Sequence, residues 1–435
     1  MRGKLVGLFA VVLLALVGLL GRITYINATS GKKYKKQVLT QAQQKYQSST
    51  LPAKRGDIYD RNGNILATSQ KVYSVILDCK TVNSDEKYVE PTVRALTDVL
   101  GLDEDKIRSL LSAEDTKNSQ YQILKKQLSM DEKKAFEDYE SPAEDSELSD
   151  AQKAERANIK GVWFEEDYRR VYPLNSTASH LVGFTYTGNS ADWGIEGYYS
   201  STLNGVNGRQ FGYYNSDADV EQNIIDPING NSVESTIDLN IQQVVEKYIS
   251  NFMDGMANGP RGAEGAANVG VIVANPKNGE ILAMATDNPY DLNNPRDLTS
   301  YYSQDEINGM DNDTMLENLY GIWKNYCISD AFEPGSTVKP LTIGAALDAD
   351  VVQPSDTFVC DGYQMFGGTR IRCSIYPGAH GTETLSDLIK HSCNDGLMQI
   401  GALLGPEEFL KYQKIFNFGA TTGIDLPGEA TGILH

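Results

Sequence analysis

Apolar residues first appear as an uninterrupted block. Residues 5–21 carry no charge, and Arg22 and an Ile23-Thr24-Tyr25-Ile26 collar follow. At about 1.5 Å per residue such a helix just crosses a bilayer core. The pattern predicts a cytoplasmic tail over 1–4, a transmembrane anchor over 5–26 and a polar, Gln-rich juxtamembrane stalk over 27–50. The only small-residue cleavage site, Ala28-Thr29-Ser30, lies beyond Arg22, which favours an uncleaved anchor over a signal peptide. Lys32, Lys33, Lys35 and Lys36 outnumber Arg2 and Lys4, so the flanking charges argue against export of the long part. Large translocated domains override that count, and the C-terminal bulk is placed outside a cell membrane as a single-pass protein.

Shorter periodicities follow. Asn62-Gly63 between Ile58/Tyr59 and Ile65/Leu66 predicts a hairpin, and 71–78 alternates like a further strand. Over 88–128 apolar residues recur at helical spacing, including Val93, Leu96, Ile107 and Leu111. Residues 131–150 hold nine acids against two lysines. They predict a solvated insertion (131–155) with no chemistry. Ser235-Thr236-Ile237-Asp238 opens an amphipathic helix from Leu239 to about Met256 (Ile241, Val244, Val245, Tyr248, Ile249, Phe252), and a Gly-rich link follows it. Two apolar runs around Asn278-Gly279 then read as a hairpin, and helices over 385–389 and 396–404 come later. Strands followed by helices predict an α+β domain.

Composition narrows the function. The net charge of −19 excludes nucleic acid as a partner, and five cysteines are too few for a disulfide scaffold. Candidate chemistry lies in Glu333-Pro334-Gly335-Ser336-Thr337-Val338-Lys339-Pro340. Pro334 and Gly335 break the preceding structure and an apolar run follows, so Ser336 sits where a helix begins. Lys339, three residues on, shares its face. An amine held neutral by burial would take the hydroxyl proton and make Ser336 a nucleophile. Ser-x-x-Lys alone decides nothing, because it recurs at Ser30–Lys33 and Ser84–Lys87. The plain alternative is an N-cap serine beside a surface lysine.

Six motifs in one order overturn that alternative, and through them the chain resembles a class B penicillin-binding protein, a peptidoglycan D,D-transpeptidase. Residues 55–67 (Arg55, Gly56, Asp60, Arg61, Gly63) resemble the family's first pedestal motif. Residues 170–184 (Arg170, Pro173, His180, Gly183) resemble the second, and 194–203 (Gly194, Glu196) the third. Residues 269–285 resemble the opening hairpin of the transpeptidase domain, 333–339 its nucleophile motif, and Ser392-Cys393-Asn394 the Ser-x-Asn element. Arg55, Arg61, Arg170 and Glu196 are expected to tie the pedestal by buried bidentate pairs, and His180 to be structural. The resemblance implies a pedestal (dimerisation) domain over 51–235 and a serine β-lactamase-like transpeptidase domain over 236–435. It further implies Ser336 as nucleophile, Lys339 as base, Ser392 as proton relay and Asn394 as a ligand of the substrate amide.

The partners implied are peptidoglycan stem peptides, β-lactams, the membrane and a polymerising glycosyltransferase, with no cofactor and no metal. No Lys-Thr-Gly follows Asn394 in this sequence, which predicts a fragment of a longer protein, inactive as written. A scaffold of the wall-synthesis complex and a serine β-lactamase are the rival functions. Cys360, Cys373 and Cys393 cluster with His380 and His391 without zinc-type spacing. A disulfide is expected instead, either Cys360–Cys373 or Cys373–Cys393.

Overall fold

The computed structural model describes residues 16–25, 49–142, 148–186, 189–214, 220–257 and 266–434. Most of the expected anchor and stalk lies outside these residues, although 16–25 are helical and exposed. Among the described residues no helix is long and apolar enough to cross a membrane. The stalk ends earlier than expected, because Ser49–Leu51 is a strand antiparallel to Gly208–Tyr214. The chain divides into two compact units, residues 1–265 with 271–323, and residues 266–270 with 324–435.

In the first unit Asp60 makes the hairpin turn. Its buried carboxylate accepts from the Asn62 and Asn64 backbone N–H groups, both at 2.8 Å, and Gly63 takes φ 82°. Burial raises the pKa of Asp60, yet the bonds from Asn64, Asn62 and Leu239 outweigh it and hold the carboxyl below its ordinary value. The two strands expected from 65 onward are a single one, Ile65–Leu77. It pairs antiparallel with Val162–Val171 along its length, from Thr68↔Val171 to Leu77↔Val162. The sheet is completed by Gln122–Leu128, Ile58–Tyr59 and Val233–Glu234.

Gln122–Leu128 was expected to continue a helix and is a strand, since pairing with Ile65–Leu77 overrides its local spacing. The helices before it, Glu86–Asp98 and Glu104–Ser112, start at Asp85 and Asp103, whose side chains accept from backbone N–H groups. Val75, Leu77, Val93, Leu96, Ile107 and Leu128 form the core. The acidic stretch is only partly solvated. Helix Met130–Glu140, opened by a Ser129/Glu132 capping box, puts Phe136 fully into that core. The part of the insertion at 143–147 lies outside the described residues.

Helix Leu239–Ala257 belongs to this unit, as does most of the hairpin Gly270–Ala274/Ile281–Thr286. Gln242 is fully buried and reads the Met284 backbone in both directions, donating to its carbonyl and accepting from its N–H at 2.9 Å each. The helix is not buried on its whole apolar face: Val244, Tyr248 and Phe252 are 53%, 67% and 47% exposed, and Ile272 on the hairpin 47%.

In the second unit a short helix, Tyr326–Ser329, precedes a single 3-10 turn, Gly335–Val338, which helix Lys339–Asp348 continues. Two antiparallel strand pairs follow that the periodicity did not reveal: Thr357–Cys360 with Gly381–Thr384 and, between them in the chain, the hairpin Tyr363–Phe366 with Thr369–Arg372. Helices Leu385–Lys390 and Asn394–Ile415 close it, the latter kinked at Gly405 before Pro406. Its core joins Ile343, Phe358, Leu388, Leu397 and Ile400 to Cys360, Cys373 and Cys393.

Candidate active site

Ser336, Lys339, Ser392 and Asn394 all lie in the second unit, and the fold brings them together. Gly335 makes the approach possible. It sits at φ 59°, a region that a Cβ disfavours, and turns the chain into the 3-10 turn that carries an exposed Ser336. Pro340 falls in the first turn of the helix, where its missing N–H costs little. Opposite, Ser392 connects two helices in a left-handed conformation, φ 51°. Close packing fixes that junction: a Cβ on Gly396 would lie 2.2 Å from Leu388 Cδ2.

Lys339 Nζ contacts three oxygens: Ser392 O at 2.7 Å, Ser392 Oγ at 2.9 Å and Asn394 Oδ1 at 2.7 Å. Ser392 Oγ in turn donates to Ser336 Oγ at 3.1 Å. The amide of Asn394 is oriented by its Nδ2, which donates to Arg372 O at 3.1 Å. Burial lowers the Lys339 amine below the ordinary lysine range, opposed by the Cys373 and Cys393 thiols nearby. Amine, first hydroxyl and second hydroxyl thus form one proton path.

The pedestal residues form a second, buried constellation in the first unit. Glu196 is its hub. Arg55 Nε donates to Oε2 at 2.7 Å and Arg170 Nε to Oε1 at 2.6 Å, while Tyr172 OH adds a bond of 3.2 Å. Arg55 continues to Asn204 Oδ1 at 2.6 Å, and Arg170 to Gly56 O at 2.7 Å. Arg55 and Glu196 are fully buried, so each charge depends on the other.

Arg61 departs from the expectation. Its side chain is 38% exposed and pairs with Glu280 at 3.5 Å rather than with the buried Glu196. Pro173 lies exposed in a turn. Gly183 and Gly194, at φ 70° and 58°, lock the second and third motifs face to face. A Cβ on Gly183 would fall 1.9 Å from Trp193 O, and one on Gly194 2.5 Å from Leu181 O. Gly56 is equally constrained, with Asn231 O 2.0 Å from where its Cβ would be. His180 is structural: Nε2 bonds the Ile322 carbonyl at 2.8 Å, Nδ1 meets Thr286 Oγ1 at 3.1 Å, and burial pushes the ring down to about 4.

The cysteines correct the disulfide expectation: none of the five is in a disulfide, and Cys373 and Cys393 Sγ stand 3.9 Å apart, well beyond a disulfide bond. Instead, Cys360, Cys373, His380 and Cys393 place their ligand atoms within 4.8 Å of one another. His391, the other expected member, bonds Glu383 Oε1 through Nδ1 at 2.6 Å, and with His380 and Glu383 makes a second, overlapping group. The sequence singled out these residues without zinc-type spacing, and their convergence comes from the fold, which brings together two strand ends, a loop and a helix cap.

Comparison with known proteins divides the chain in two. Residues 50–235 match the penicillin-binding protein dimerisation domain, and residues 269–435 the penicillin binding protein transpeptidase domain. Stage V sporulation protein D of Bacillus subtilis (strain 168) is 31% identical over 427 residues, 95% of this chain and 56% of that protein. Peptidoglycan D,D-transpeptidase FtsI of Buchnera aphidicola subsp. Baizongia pistaciae is 25% identical over 98% of this chain and 66% of its own length. The chain therefore spans little more than half of the first relative. Among solved structures, penicillin binding protein 2X from Streptococcus thermophilus matches with a TM-score of 0.66 at 22% identity, over 89% of this chain and 55% of that one. PBP2 of Helicobacter pylori, solved in complex with MreC, matches with a TM-score of 0.63 at 20% identity, over 89% and 68%. Both share the two-domain fold.

Proposed function

This chain belongs to the class B penicillin-binding proteins, and we propose that the whole protein is a membrane-anchored peptidoglycan D,D-transpeptidase working through an acyl-enzyme on Ser336. The observation that carries the reading is the path Lys339 Nζ–Ser392 Oγ–Ser336 Oγ, at 2.9 and 3.1 Å. A neutral Lys339 has two N–H groups and a lone pair. Ser392 O and Asn394 Oδ1 can only accept, so they take the two N–H groups and leave the lone pair to the Ser392 hydroxyl. With the amine neutral, the Ser392 hydroxyl turns its proton from Ser336 to Lys339 and accepts the proton of Ser336 in its place. As that proton leaves, Ser336 Oγ attacks the carbonyl carbon of a stem-peptide D-alanyl-D-alanine.

The scissile C–N bond breaks, and the proton held on Lys339 returns through Ser392 to the departing D-alanine amine. A second strand's amine attacks the ester, forms the cross-link and frees Ser336. Asn394 orients the donor amide, and the Ser336 backbone N–H, at its helix start, faces the developing oxyanion. A β-lactam enters by the same attack and remains as an ester. The partners follow from this chemistry: stem peptides as substrate, β-lactams as inhibitors and a separate glycosyltransferase as supplier of glycan strands. The membrane anchor and the extracytoplasmic placement of the catalytic domain belong to the same proposal.

Labelled penicillin tests it on the protein at its natural length. The adduct should map to Ser336 and vanish in Ser336→Ala, and Lys339→Ala should slow acylation by about 10²–10⁴, the span of general-base catalysis. Normal labelling of Ser336→Ala would refute the assignment.

A further inference from the structure

We propose that Arg370 and Arg372, stacked on tyrosine rings beside Asn394, bind a free carboxylate of the donor stem peptide and so select anionic stems over amidated ones. The inference rests on the transpeptidase reading and adds to it the class of donor that the site prefers. Both arginines belong to strand Thr369–Arg372, two positions apart, so their side chains leave one face of the hairpin. Tyr363 pairs with Arg372 across it. Arg370 Cζ lies 4.7 Å from the centre of the Tyr363 ring and Arg372 Cζ 4.9 Å from that of Tyr376, while the two rings meet edge to face at 6.2 Å. Stacking of this kind fixes a guanidinium plane and leaves its N–H edge free to bond.

That edge has little to do within the protein. In a chain of net charge −19 an exposed cation ordinarily finds an acid, as Lys71, Arg94 and Arg108 do with Glu166, Glu155 and Glu90. Arg370 and Arg372 are exposed as well. Among the described residues neither meets a carboxylate, and the one side-chain hydrogen bond that either makes is from Arg370 Nη1 to Tyr376 OH at 3.3 Å. Two planar forks held ready for an anion fit a carboxylate at two points each.

Position connects them to the substrate. Arg372 O accepts from Asn394 Nδ2 at 3.1 Å, and Asn394 Oδ1 meets Lys339 Nζ at 2.7 Å. On the transpeptidase reading Asn394 holds the donor amide just before the acylated D-alanine. An extended peptide advances about 3.3 Å per residue, so the residues ahead of that amide pass the strand that carries the arginines. Stem peptides carry free carboxylates there, on the residue next to D-alanine or on the γ-linked glutamate before it. The contact is an ion pair made before any bond changes, and it adds no step to the acyl transfer.

Peptidyl penicillins test this on the protein at its natural length. The side chain on 6-aminopenicillanic acid takes the place of the stem, and each compound is made with a carboxylate and as its carboxamide. One pair sets the group on the first residue from the lactam and a second pair one residue farther out. The acid should acylate Ser336 about tenfold faster than its amide in at least one pair at low salt, and that pair identifies the stem residue held. The protein's own negative charge acts against such a preference. At 1 M salt, where screening leaves a range of about 3 Å, the ratio should shrink. Arg370→Gln with Arg372→Gln should bring it to about one, and Arg370→Lys with Arg372→Lys, which keeps charge but loses the fork, should fall between. A pair that only braces the hairpin would slow acid and amide alike, so a ratio that survives in the double glutamine variant overturns the proposal. Equal rates for acid and amide in the unmutated protein overturn it alone, with the Ser336 adduct still formed. Absence of any Ser336 adduct overturns the transpeptidase reading together with it.

Discussion

Ser392 holds φ 51°, a conformation that costs a residue with a Cβ about 1–2 kcal/mol. The strain turns both its carbonyl and its hydroxyl onto Lys339. Two substitutions separate strain from chemistry. Ser392→Gly should raise the unfolding free energy by up to about 1 kcal/mol yet slow penicillin acylation about as much as Ser392→Ala, since both remove the relay oxygen; rapid acylation by either would show that Lys339 reaches Ser336 unaided. His180 gives a pH signature of a different kind. Its folded value, pushed down to about 4 by burial with weak opposition from the Ile322 carbonyl and Asp287, lies below the unfolded value of about 6.5. Between those values the unfolded chain binds a proton that the folded one refuses, so stability is complete above about pH 6.5 and declines as pH falls toward 4. The full loss is roughly 3 kcal/mol. Denaturant melts at several pH values measure it, and His180→Gln should flatten the slope. Ser336, Lys339, Ser392 and Asn394 were legible in sequence because their motifs are short and their order is distinctive. The cluster of Cys360, Cys373, His380 and Cys393 was legible only as a list of residues, because the convergence of their side chains is a property of the fold.

Among the secondary-structure elements, what the sequence revealed depended on whether a pattern was local. The Asn62-Gly63 hairpin formed as read, since turn chemistry acts within a few residues, and the helical spacing up to Leu111 became the two helices that Asp85 and Asp103 open. Gln122–Leu128 did not, because its partner strand lies some fifty residues away in the chain. The acidic helix was misread for a related reason: charge counting hides a single Phe136, and one fully buried aromatic is enough to dock a helix. Glycines connecting the elements provide a prediction at this scale. Gly183→Ala should destabilise the first unit by at least about 2 kcal/mol, because its Cβ would meet the Trp193 carbonyl at 1.9 Å. Gly101→Ala also sits at positive φ, 62°, but nothing lies within 4 Å of its Cβ, so only the backbone cost of about 1 kcal/mol applies. Similar midpoints for the two variants would mean that the second and third motifs yield more easily than their packing implies.

Among the described residues two separate cores stand out, one around Val75, Leu96 and Phe136, the other around Ile343, Leu388 and Cys393. The stripe of Val244, Tyr248 and Phe252, with Ile272 on the hairpin, has a colloidal consequence. Exposed apolar side chains attract a second copy, but each copy carries a formal charge of −19. At low ionic strength that repulsion acts over about 30 Å, at 0.15 M salt over about 8 Å and at 1 M over about 3 Å. Added salt should thus drive the chain from monodisperse to clustered, the reverse of ordinary salting-in, and Tyr248→Lys should shift that onset to higher salt.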